Sequence, residues 1–142
     1  MTSQLNVDTI VDKAGSGGPS LPNTTTIKIS NTSTNVSDGG AVTQNLVQGL
    51  VKAWCSGGND ASLSNTFNIA SGTDNGTGDY SYTLTNSLSS NEIAGGGAST
   101  DNTDQNLVIH SPTTSSYRIE IYQQNGSEID RSNRTVICGD MT

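Results

Sequence analysis

Thr66-Phe67-Asn68-Ile69-Ala70-Ser71-Gly72-Thr73-Asp74-Asn75-Gly76-Thr77-Gly78-Asp79-Tyr80-Ser81-Tyr82-Thr83-Leu84 is the stretch that decides the fold class. Its second half alternates: Tyr80, Tyr82 and Leu84 point one way, Ser81 and Thr83 the other, the period of a half-buried strand. Its first half carries Phe67 and Ile69 at the same spacing. Between them, Asn75-Gly76 is a favoured pair for the positive-φ positions of a tight hairpin turn. The simplest reading is two antiparallel strands around a Gly/Asp loop, with Tyr80, Tyr82 and Leu84 packing against Phe67 and Trp54.

The same period recurs downstream. In Ser116–Gln123, Tyr117, Ile119 and Ile121 alternate with Arg118, Glu120 and Tyr122, and Gln124-Asn125-Gly126-Ser127 closes the run with a turn signal. Leu107–His110 and Arg134–Cys138 are shorter apolar runs. Together these give about six or seven strands, the pattern of a small antiparallel β-sandwich. The fold class is all-β, with an extended N-terminal arm and one short amphipathic helix. Trp54, Phe67, Tyr80, Tyr82, Ile119 and Ile121 are the expected core.

The helix is read from residues 42–54, where Val42, Leu46, Val47, Leu50, Val51 and Trp54 recur at helical spacing. It is expected from about Val42 to Gly49, passing into a strand around Val51–Cys55. Leu46, Val47 and Leu50 form a stripe suited to a subunit interface. Residues 24–30 alternate through Ile27 and Ile29 as a connecting strand, and a polar loop follows it. The N-terminal stretch Gln4–Val11 is strand-like and precedes a Gly/Ser/Pro-rich break. With no local partner, it is expected to dock on something else through Leu5, Val7, Ile10 and Val11. The organisation is thus an arm at 1–23, a connecting strand and loop at 24–44, and the sandwich module at 45–142.

Composition narrows the function. Apolar residues are 30% and charged residues 13%, so a lone core is small and oligomerisation is an economical way to bury more surface. The net charge is −7, with 6 Lys and Arg in no block, which speaks against a nucleic-acid footprint. No apolar run approaches the ~18 residues of a membrane span, and no secretory leader is visible, so folding in a cytoplasm is expected. Cys55 and Cys138 read as small buried apolar side chains or, in an oxidising compartment, as a disulfide. A single histidine, His110, supports no triad or multi-His metal centre, and reads as a strand-end residue. The Asp74–Asp79 loop has oxygen ligands but not the ligand order of an EF-hand, so a turn is preferred over a cation site. No catalytic residue, cofactor or metal is expected, and the chain is not read as an enzyme. The Gly-containing stretch Asn86–Gln105 reads as a long loop available for external contact.

Three stretches are familiar together. Asn45–Trp54 resembles the entry to a small module of tail-fibre-like and appendage virion structural proteins of marine tailed phages, the cyanophage and pelagiphage groups. Phe67–Ser71 with Thr73–Tyr80 is similar to that module's central hairpin. Ser116-Tyr117-Arg118-Ile119, with Asn125-Gly126-Ser127 and Asp130-Arg131-Ser132, is similar to its closing strands. Ser3–Gly15 also resembles the opening of such proteins. The resemblance implies a non-enzymatic virion protein, assembled in the host cytoplasm, with other virion proteins of tail or capsid as partners and a trimer as the favoured homo-oligomer. Because no shaft repeats are present, a capsid decoration protein stands beside the fibre component as an alternative. A carbohydrate-binding module for host surface glycans, with Tyr80, Tyr82, Tyr117 and Tyr122 as stacking surfaces, is the reading from another class.

Overall fold

The computed structural model describes residues 29, 33–36, 43–47, 49–100 and 105–140. The described chain is all-β. A small ribbon comes first, β1 (Thr34–Val36) paired with β2 (Thr43–Asn45). Eight strands follow: β3 (Val51–Gly57), β4 (Leu63–Phe67), β5 (Ile69–Gly76), β6 (Asp79–Leu84), β7 (Ala94–Ser99), β8 (Gln105–His110), β9 (Ser116–Gln123) and β10 (Asn133–Cys138). They make two four-stranded sheets, ordered β4-β3-β10-β7 and β5-β6-β9-β8, with every pairing antiparallel.

The core lies between the sheets. Tyr80, Tyr82, Ile119 and Ile121 are fully buried there, with Ala53, Cys55, Ile69, Leu84, Tyr117 and Ile137. The aromatic payload comes from one side: Tyr82 and Tyr117 are cross-strand partners with ring centroids 5.5 Å apart. The facing strand β3 contributes the small side chains Ala53 and Cys55, which leave room for those rings.

Asn68 makes the corner between the sheets. It is the single residue between β4 and β5, and its φ is 59°. Asn tolerates this left-handed conformation better than most side chains. Its amide then links both layers: Nδ2 donates to the Lys52 carbonyl of β3 at 3.0 Å and to the Asn86 carbonyl at 3.1 Å, while Oδ1 accepts from Asn86 N at 2.7 Å. The stretch expected to be one strand is therefore two strands in different sheets. Phe67 pairs with Trp54 in the first sheet, and Ile69 pairs with Leu84 in the second.

Four further expectations are corrected. No helix occurs among the described residues: Thr43–Asn45 is strand, and Leu46 and Val47 form a turn after it. Accordingly, no described helix is long and apolar enough to cross a membrane. Gly95-Gly96-Gly97 lies in strand β7, not in a loop. A Cβ on Gly95 would sit 2.7 Å from Ile137 Cδ1, and one on Gly97 would sit 2.7 Å from the Arg134 carbonyl oxygen and 2.9 Å from Leu107 Cδ2. These inward positions are empty so that large neighbours can fill them. The hairpin turn falls at Thr77-Gly78, two residues past Asn75-Gly76, because Asn75 is taken up as a bulge between Asp74 and Gly76. Ile29 is exposed and outside any strand. Leu5, Val7, Ile10, Val11 and the arm at 1–23 lie outside the described residues, as does Ile27.

Candidate functional site

The two sheets present opposite kinds of outer surface. On the β4-β3-β10-β7 sheet, Trp54 is the register partner of Phe67 on one side and of Val136 on the other. All three side chains point outward: Trp54 is 37% exposed, Phe67 52% and Val136 40%. Trp54 and Phe67 are therefore not core residues, and they do not pack against Tyr80 and Tyr82. Strand parity explains it: Ala53 and Cys55 take the inner face of β3, so Trp54 must take the outer one. The row continues across β7 at Gly96, the partner of Val136, where nothing stands above the backbone. One step along lies a polar row, Asn65, Ser56 and Arg134, held in register across the same three strands.

The four strands of this sheet contain no Asp or Glu, while the chain as a whole carries 13. Their charged residues are Lys52 and Arg134 only. Lys52 is buried, and its ammonium donates to the Val47 carbonyl. Arg134 is exposed.

The β5-β6-β9-β8 sheet faces outward with paired charges. Arg118 grips Asp79 with both arms, Nε donating to Oδ1 at 2.6 Å and Nη2 to Oδ2. The guanidinium holds the Asp79 carboxyl below the usual carboxylate range, with help from the Asn75 amide, and burial opposes it only in part. His110 Nε2 lies 3.2 Å from Glu120 Oε1, and the Tyr122 hydroxyl donates to Glu120 Oε2. That bond to the carboxylate, before burial, pushes the Tyr122 phenol up to about 12. His110 is thus a strand-end residue beside Glu120.

The Asp74–Asp79 turn spends its oxygens within the protein. Asp74 accepts from Gly76 N at 2.9 Å, Asp79 is held by Arg118 and Asn75, and Asp130 accepts from Gly78 N at 2.7 Å. Among the described residues, no group of three or more His, Cys, Asp or Glu is placed to hold a metal ion.

Buried polar atoms form a second network, between the sheets. The Tyr82 hydroxyl donates to Asn133 Oδ1 at 3.0 Å. The Tyr117 hydroxyl lies 2.6 Å from Thr135 Oγ1, and Cys55 Sγ lies 3.2 Å from the same oxygen. The Tyr80 hydroxyl accepts from Arg131 N and sits 3.0 Å from the Asn59 carbonyl and 3.2 Å from Asp130 Oδ1. Burial raises all three phenols, Tyr80 to about 12. These hydroxyls tie strands together, and Tyr80, Tyr82 and Tyr117 are closed off from any sugar. Both cysteines are free. Cys138 instead lines an open depression of about 280 Å³ with Ser90, Glu92, Ala94, Gly139 and Asp140.

The feature that stands out on the described surface is the outward apolar row Phe67–Trp54–Val136. No family model, curated protein or solved structure matches this chain. Leu46 and Leu50, expected on an interface helix, are exposed in a turn and a bend, and Val47 is half-buried. Without the helix they do not form the expected stripe. Sequence reasoning missed the outward row because alternation gives the period of a strand and not which side is inside. The small size of Ala53 and Cys55 beside large Trp54 was the available signal.

Proposed function

We propose that this chain is a non-enzymatic structural protein of a tailed-phage particle. It is a component of a surface appendage that attaches through its N-terminal stretch and projects the β-sandwich. The observation that carries the reading is the outward Phe67–Trp54–Val136 row. Trp54 and Val136 lie on the two central strands, paired on both sides, Phe67 lies on the edge strand β4, and the inner side of the sheet rests on the packed core. Such a flat, rigid apolar face suits protein–protein assembly better than chemistry on a small substrate. On the opposite sheet Arg118 pairs with Asp79, and His110 lies against Glu120. The stretches that resemble appendage proteins also fall on the framework of the sandwich. Asn45–Trp54 leads into β3, Phe67–Tyr80 spans the corner and the central hairpin, and Asp130-Arg131-Ser132 leads into β10.

The test is quantitative mass spectrometry of purified particles. The chain is expected in fixed stoichiometry with the known virion proteins, and deletion of residues 1–15 is expected to abolish its incorporation. Hundreds of copies per particle would place it on the capsid, and a small multiple of three or six in the tail. Absence from particles would overturn the proposal, and normal incorporation of the deletion variant would overturn the role of Leu5, Val7, Ile10 and Val11 as the anchor.

A further inference from the structure

We infer that the outer face of the β4-β3-β10-β7 sheet binds the same face of a second copy of this chain. The contact would be isologous, with Phe67, Trp54 and Val136 at its centre. It lies between copies of the chain and holds whether or not the chain belongs to a particle.

Charge selects the occupant. Two molecules of net charge −7 repel each other over most of their surfaces. The opposite sheet carries Asp74, Asp79 and Glu120 on its strands, against Arg118 as its only Lys or Arg. The first sheet carries no carboxylate and has one exposed cation, Arg134. Of the two sheet faces, it is the one through which two copies meet at lower electrostatic cost. It is also the one that exposes two aromatic rings and a valine in a row. Burying them gains what the small core of a 30% apolar chain cannot supply alone. Arg134 is one diagonal step from Trp54, because its partner Ser56 is two residues along β3. A twofold contact would bring each guanidinium near the partner's indole, a favourable cation–π arrangement.

Size sets the strength. Four strands at ~4.8 Å spacing and a longest strand of about seven residues give a footprint of roughly 440 Å² per copy. That is well below the ~800 Å² per partner of a standard stable interface. The dimer is therefore weak in free solution, with a dissociation constant on the order of 10–100 µM. Copies held side by side at high local concentration would pair much more fully.

Sedimentation velocity of the full chain across this concentration range, at about 50 mM and about 500 mM salt, tests the inference. A monomer–dimer equilibrium is expected, several-fold tighter at the higher salt, because screening relieves the repulsion between the two acidic bodies. Trp54 is the only tryptophan. Its emission in the unaltered protein should shift to the blue as dimer forms, a readout that needs no variant. Phe67→Glu, which places a carboxylate at a half-exposed position, should weaken pairing at least ten-fold. Thr83→Glu, on the exposed face of the other sheet, should leave pairing within about two-fold. A monomer at all concentrations, as expected if a glycan or another protein covers this face instead, would overturn the inference. So would a trimer, association that weakens with salt, unchanged Trp54 emission in the dimer, or equal effects of the two substitutions.

Discussion

Replacing Asn68 with alanine should damage the corner that joins the two sheets. Asn68 holds a φ of 59°, and an alanine there pays about 1 kcal/mol for the left-handed backbone. The substitution also removes three hydrogen bonds: those to the Lys52 and Asn86 carbonyls, and the one from Asn86 N. Two of these are solvent-exposed, so water restores part of their strength, and each is worth about 0.5–1 kcal/mol net. The expected loss is about 3 kcal/mol, a large fraction of the stability of a small domain. Asn68→Gly loses the same hydrogen bonds and sheds the backbone strain. After the added freedom of its unfolded chain is counted, it should cost about 2.5 kcal/mol, slightly less than alanine. Urea unfolding followed by far-ultraviolet circular dichroism measures both. The slope with denaturant should be unchanged, since the corner buries little surface of its own. A loss below about 1 kcal/mol for alanine, or glycine worse than alanine, would refute the reasoning.

Two other predictions concern the core. Gly97→Ala places a Cβ 2.7 Å from the Arg134 carbonyl oxygen and should cost about 1–3 kcal/mol, whereas Gly96→Ala meets nothing within 4 Å and should be nearly neutral; thermal unfolding of the pair separates them. The buried tyrosines make the fold alkali-sensitive. Tyr80, Tyr82 and Tyr117 keep their protons in the native state above the unfolded tyrosine pKa of about 10. Stability is therefore fully present below about pH 10 and falls as pH rises from there toward the folded pKa values, by up to about 1.4 kcal/mol per pH unit for each such group. Tyrosinate absorbance should rise only near pH 12 or together with unfolding, Tyr122 included because its hydroxyl is bonded to Glu120. A tyrosine that ionises near pH 10 in an intact fold would contradict this.

The all-β class was legible because period-two alternation in Asp79–Leu84 and Ser116–Gln123 is long and one-sided, and those strands form the centre of the second sheet. The first sheet was harder to read. In Val51–Cys55 one alternating set is Val51, Ala53 and Cys55 and the other is Lys52 and Trp54, and reading the large indole as a core anchor puts the wrong set inside. Size decides it, because the tyrosines of the facing sheet leave space only for small side chains. The helix expected at 42–49 came from apolar residues that match helical spacing by coincidence, Leu46 and Leu50 among them, both exposed. At Asn68 the alternation runs unbroken through Phe67 and Ile69, yet one left-handed residue sends them into different sheets and onto opposite faces. Glycine is disfavoured in isolated strands, which hid β7. Only the bulk of Ile137, Ile109 and Leu107 across from it makes glycine the residue that fits.

Acrylamide quenching of Trp54 fluorescence in dilute solution, below the concentration at which copies pair, tests the central claim most directly. An outward indole on the face of the β4-β3-β10-β7 sheet predicts the red-shifted emission of a solvated tryptophan and ready quenching, with both lost on concentrating the protein. Blue-shifted emission that resists quenching at the lowest concentration would put Trp54 inside the sandwich and remove the surface on which the functional proposal stands.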